Sequence, residues 1–100
     1  MSEYRLVAPA EFDLANADEV RAVFRAVLRE RDCDVLVDCS RLRFIDSSGL
    51  HVLLEANRLL EANGRHMLVV NVRPSARRVF ELLGVDDLLR YDRSAPLPAA

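Results

Sequence analysis

The sequence has no lysine, only two cysteines and no uninterrupted apolar run close to bilayer length, and the last two shortages each remove a class of function. All 14 basic side chains are arginine, a bias that fits a GC-rich genome better than phosphate recognition and carries no functional assignment. Cys33 and Cys39 bracket an extended segment and at about 3.3 Å per residue would lie about 20 Å apart, too far to pair. With no Cys-x-x-Cys and only His51 and His66 elsewhere, a zinc site lacks ligands at workable spacing, so both cysteines read as reduced thiols. The apolar stretches are short and broken by charges, which excludes a membrane-spanning helix. No secretory leader opens the chain, and the expected location is the cytoplasm. A net charge of −2, with both signs interspersed, argues against nucleic acid or an anionic membrane as the main partner. No metal or cofactor is expected.

What is present is enough for one core. The 100 residues are 51% apolar, too few for two domains, and no linker divides them. Short apolar runs alternate with helical stretches, the pattern of an α/β fold with a mostly parallel sheet covered by helices. Tyr4–Val7 reads as a first strand. Asn16-Ala17-Asp18-Glu19 resembles a capping box opening a helix to about Arg31, with Val20, Val23, Phe24, Val27 and Leu28 on one face. Val35–Val37 is a core strand. A second helix is expected from Ser47 to Asn63, closed by Asn63-Gly64 as a left-handed cap. Met67–Val70 is a further strand, Pro74 and Ser75 start a third helix that Gly84 ends, and Leu88–Tyr91 is a final strand. The proline-containing segment from residue 93 to 100 is expected to be a disordered tail behind a single domain of residues 1–92.

The most informative segment is Phe44-Ile45-Asp46-Ser47-Ser48-Gly49-Leu50, where a strand-like run hands over to the second helix. Ser47 falls at a helix N-terminus, where free N–H groups and the positive end of the helix dipole favour an added phosphate. A charge switch is one reading, and a plain N-cap is the other. On the helix, Val52, Leu53, Ala56, Leu59 and Leu60 form the stripe expected to face the sheet. Leu50 and Leu54 fall beside it, where they either widen the core contact or serve a partner. Gly49 either lets another backbone approach or is a tolerated first-turn glycine.

These residues resemble the stand-alone STAS domains of the anti-sigma factor antagonist type. The resemblance rests on Glu11-Phe12-Asp13, on Val35–Asp38 leading through Leu42-Arg43-Phe44-Ile45 to Asp46-Ser47-Ser48-Gly49-Leu50, and on Pro74 through Phe80-Glu81-Leu82-Leu83-Gly84-Val85. It implies that Ser47 is the phosphoacceptor and that Asp13 comes close to it from the loop before the first helix, orienting the hydroxyl or only capping its own loop. It further implies an anti-sigma factor partner that is itself an ATP-dependent serine kinase, sequestered by the unmodified antagonist and released on phosphorylation. A phosphatase would reset such a cycle. The docking face would comprise Asp13, Asp46, Ser48, Gly49, Leu50, His51 and Leu54.

The sequence departs from the pattern of that family in three places. The three residues before Tyr4–Val7 are too few to make the usual extra strand, so four strands, or five at most, are expected. The monomer would then carry an open edge capable of weak self-association. The C-terminal cover is reduced to the proline-containing tail. His51 stands where the family often has glycine, one turn from Ser47, and either meets a phosphate, obstructs docking or is simply solvated. A hydrolase using Ser47 and His51 fails because Ile45 stands where a nucleophile elbow needs glycine and no acid is placed to orient His51. The reading is a non-enzymatic regulator, and the competing one is a non-phosphorylated STAS adaptor of a transporter or stress-sensing assembly, since fold does not fix function.

Overall fold

The computed structural model describes residues 3–84. Three strands, β1 (Glu3–Val7), β3 (Asp34–Asp38) and β5 (Met67–Val70), form a parallel sheet in the order β1-β3-β5. Two short strands, β2 (Glu11–Phe12) and β4 (Phe44–Ile45), pair in parallel as a separate ladder. The helices are α1 (Ala17–Glu30), α2 (Ser47–Ala62) and α3 (Pro74–Leu82). The fold class is the one expected, with five strands among the described residues, divided between two sheets. The final strand expected at Leu88–Tyr91 and the tail lie outside the described residues.

Neighbouring parallel strands require crossovers, and α1 and α2 supply them. The order advances in one direction, so right-handed crossovers place both helices on one face of the sheet, where they pack side by side. Strand alternation divides the buried residues accordingly. Leu6, Val35, Val37, Met67 and Val69 join the main core with Phe24, Val27, Leu53, Leu60 and Phe80 from the helices. Leu36, Leu68 and Val70 form a smaller cluster. The intervening positions of a strand face the opposite side.

Several local expectations change. Asn16 precedes α1, but its side chain makes no capping bond. Its amide turns back instead, accepting from Asp13 N at 3.0 Å and donating to Glu11 O at 2.6 Å, so it braces β2 and the loop after it. Val23 and Leu59 were placed on buried stripes, yet both are exposed. Each sits at the border of its stripe, and Val23 lines an open depression with Val7 and Pro9. Gly64 and Gly84 do adopt positive φ, 71° and 70°, after α2 and α3, as left-handed caps require. Cys33 and Cys39 are free thiols.

Side chains tie α1 to α2. Glu55 accepts from Arg21 Nε at 2.9 Å and from Arg25 Nη2 at 3.1 Å. The Arg21 hydrogen bond, followed by that of Arg25, draws the Glu55 carboxyl below its ordinary value. At the far end Arg65, just past α2, donates to the carbonyl of Leu28 in the last turn of α1 and to that of Arg31, its C-cap residue. Those carbonyls have no partner within their own helix, so the guanidinium acts as a cap supplied from elsewhere in the chain.

Candidate functional site

Within each sheet the strands run parallel, and an aspartate stands at the carboxyl end of one strand in each, Asp38 at β3 and Asp46 after β4. Asp46 follows β4 in an extended conformation (φ −110°, ψ −173°) and caps α2. One carboxylate oxygen accepts from Ser48 N at 2.8 Å and from Gly49 N at 3.2 Å, while Leu50 N bonds the Asp46 carbonyl. Asp46 therefore satisfies two of the N–H groups that the helix start leaves open. The capping role was legible in the sequence, and it belongs to Asp46; Ser47, as the first helical residue, is left exposed with its hydroxyl uncommitted.

The turn is held from behind by β2. Phe12 pairs with Ile45, and the Phe12 carbonyl accepts from Asp46 N at 3.2 Å. A Cβ on Gly49 would lie 2.5 Å from that carbonyl oxygen and 2.9 Å from the Ile45 and Phe12 side chains. Of the two readings of Gly49, close backbone approach is the one the packing supports: no larger residue fits without moving β2.

Leu50 needs correction as a docking residue. It is 2% exposed and belongs to the main core, because the β2–β4 ladder encloses the first turn of α2. Leu54 is half-buried against that core and His51 is exposed. Ser48 and Asp13 are half-buried. The Asp13 carboxylate accepts from Ala15 N at 3.0 Å within its own turn. The register that pairs Phe12 with Ile45 makes Asp13 and Asp46 the next residues on adjacent chains, so the two loops lie side by side. Asp46, Ser48 and His51 thus flank Ser47 along the chain, the Asp13 loop lies beside Asp46 through the β2–β4 pairing, and Gly49 and Leu50 are buried beneath.

The second aspartate had no place in the sequence-based site. Asp38 ends β3 with 6% exposure. It accepts from Arg5 Nη2 at 2.5 Å, from Ser40 N at 2.9 Å and from Asn71 Nδ2 at 3.0 Å. Burial pushes its carboxyl up, but the hydrogen bonds from Asn71, Ser40 and Arg5 outweigh this and hold it well below the usual carboxylate range. Asn71 reaches it from a left-handed conformation (φ 61°) that asparagine tolerates better than most residues. The cluster was invisible in the sequence because Arg5 and Asn71 each lie 33 residues from Asp38, one on either side.

A sequence profile of the STAS domain matches residues 4–95. The chain belongs to the STAS domain family. This STAS domain is 32% identical over 76 residues to the anti-sigma F factor antagonist of Paenibacillus polymyxa, an alignment spanning 75% of this chain and 65% of that relative. Its fold superposes on the anti-sigma factor antagonist SpoIIAA in its unphosphorylated form with a TM-score of 0.73 and 26% identity, covering 97% of this chain and 84% of that one. The phosphorylated form of the Bacillus SpoIIAA matches with a TM-score of 0.65 and 27% identity, covering 93% and 80%. A sulfate transporter family protein of Wolinella succinogenes shares the fold at a TM-score of 0.74 and 22% identity, covering 87% and 70%. Among the described residues no helix is long and apolar enough to cross a membrane.

Proposed function

We propose that this STAS domain is an anti-sigma factor antagonist that binds an anti-sigma factor serine kinase and is switched off by phosphorylation at Ser47. The observation that carries the reading is the exposed Ser47 hydroxyl at the head of α2, freed from capping by Asp46. The P. polymyxa relative and the two forms of SpoIIAA support it. The protein acts by reversible association in the cytoplasm, and ATP is held by the partner. Phosphorylation adds about −1.5 to −2 charges beside Asp46. Within the domain the helix terminus offsets that charge, by about 0.3–1 kcal/mol at an exposed site. Across an interface the same group has to be desolvated, and without a waiting cation that cost exceeds the helix benefit. The fold survives and the complex does not.

The test is incubation with the anti-sigma kinase of the same organism and ATP, followed by mass-spectrometric location of phosphate. Phosphate on Ser47 is expected, and Ser47→Asp should bind the kinase markedly less well than wild type at an unchanged melting temperature. Phosphate on Ser48 with Ser47 untouched would refute the assignment. The second reading is the non-phosphorylated adaptor, whose fold is the one shared with the Wolinella transporter-family protein. It would be correct if Ser47 accepts no phosphate and the domain co-purifies with transporter subunits.

A further inference from the structure

The outer face of α2 carries Ser47, His51, Leu54 and Arg58, residues spaced to fall within about 40° of one line down the helix and spanning about 16 Å. Alongside runs the α1 row Arg21, Arg25 and Arg29. A shallow furrow runs from the seam between the helices onto the outer face of α1, through two depressions that share Arg21. One of ≈ 390 Å³ is lined by Arg21, His51, Leu54, Glu55 and Arg58, and the other of ≈ 270 Å³ by Asp18, Arg21, Ala22, Arg25 and Arg29. Four guanidiniums thus face two carboxylates, an excess of two positive charges on a chain whose net charge is −2. Asp18 and Glu55 are taken up by Arg21 and Arg25. Arg29 and Arg58 are exposed and have no ion-pair or hydrogen-bond partner among the described residues.

We propose that this furrow receives an acidic segment of the anti-sigma factor, with Arg58 and Arg29 as its cationic contacts and Leu54 as the apolar centre. The inference rests on the antagonist reading and names the surface through which the partner is steered. Charge complementarity and continuity with Ser47 choose the occupant. An excess of two charges is too small for a nucleic-acid backbone, whose binders typically neutralise about 6–10 phosphates. The half-buried Leu54 and the fixed Arg21–Glu55–Arg25 bridge suit a protein interface, where arginine is enriched around an apolar centre. The furrow also explains how one phosphate can act at a distance. Some −1.5 to −2 charges at its head roughly cancel the positive excess and remove the steering field as well as the local contact.

The test measures association of the full chain with the purified anti-sigma kinase in the presence of ATP, at about 50 and about 300 mM salt, where screening differs several-fold. The double variant Arg29→Glu/Arg58→Glu should associate about tenfold more slowly at low salt, and the gap should close to about twofold at high salt. Its melting temperature should fall by only a few degrees, through the charge reversal in the last turn of α1, since neither side chain has a partner among the described residues. Arg78→Glu on the outer side of α3 should leave the rate unchanged. Wild-type rates for the double variant at both salts would overturn the furrow alone. Failure of the wild-type chain to bind the kinase at all would overturn the antagonist reading and this inference with it. Co-sedimentation with phosphatidylserine vesicles that the double variant loses, with kinase association unaffected, would assign the furrow to lipid instead.

Discussion

Asp38-Cys39-Ser40 and Asp46-Ser47-Ser48 are nearly the same tripeptide used in opposite ways. Each follows a parallel strand, and in each the aspartate accepts a hydrogen bond from the serine N–H two residues on, at 2.9 Å and 2.8 Å. After Asp38 the chain turns inward: Cys39 is fully buried, and the carboxylate is closed over by Arg5 and Asn71. After Asp46 a helix begins, and the middle residue, Ser47, stands in solvent. The local bond is common to both, so the difference comes from what tertiary structure delivers to the carboxylate. A cation and an amide make the first a clasp across the sheet; two helix N–H groups make the second a pedestal for a hydroxyl.

The sharpest way to break the comparison is Asp38→Ala, which leaves the Ser40 and Asn71 donors without their acceptor. It should cost about 2–3 kcal/mol, read from denaturant unfolding. The folded Asp38 carboxyl ionises well below its unfolded value near 3.9. Its contribution is therefore complete above that pH and is lost as pH falls through the acid range. Wild type should lose stability steeply between about pH 5 and pH 2, and Asp38→Ala should lose less. Equal acid slopes would mean that the clasp contributes nothing. Gly49→Ala comes next: it gains helix propensity of up to about 1 kcal/mol but drives a methyl into the Phe12 carbonyl, for a net loss of about 1–2 kcal/mol. A stability equal to wild type would show that β2 yields easily. The smallest effects belong to the pedestal. Asp46→Ala should cost about 1 kcal/mol as a lost cap, and Ser47→Ala should stay within about 0.5 kcal/mol of wild type by thermal melting. A Ser47→Ala loss equal to that of Asp46→Ala would make the serine structural.

The sequence carried the elements that periodicity and punctuation define. Both left-handed glycines, the β5 strand and the start of α2 at Ser47 stand where they were expected, because each is set by signals within a few residues. What it did not carry depends on partners far along the chain. The two-residue strand β2 has no period to detect, yet its Phe12 carbonyl fixes the Ser47 turn and explains why Gly49 is glycine. Leu50 lies to one side of the α2 stripe, where the sequence leaves a wider core contact and a docking role both open, and burial in the main core decides for the first. The interspersed charges concealed a basic furrow, because Arg21, which lines one depression with Arg25 and Arg29, meets Arg58 only when α1 and α2 lie side by side. Composition averages over surfaces that folding separates.

Arg65 fastens the end of α1 from the far side of α2, and the middle of the pair is already bridged through Glu55. Two helices joined at the centre and at one end open together more readily than one at a time, so the last turn of α1 should show amide protection close to that of α2 and well above that of an ordinary fraying terminus. The seam between them, where the furrow begins, is then a fixed shape, met ready-made by whatever settles into it.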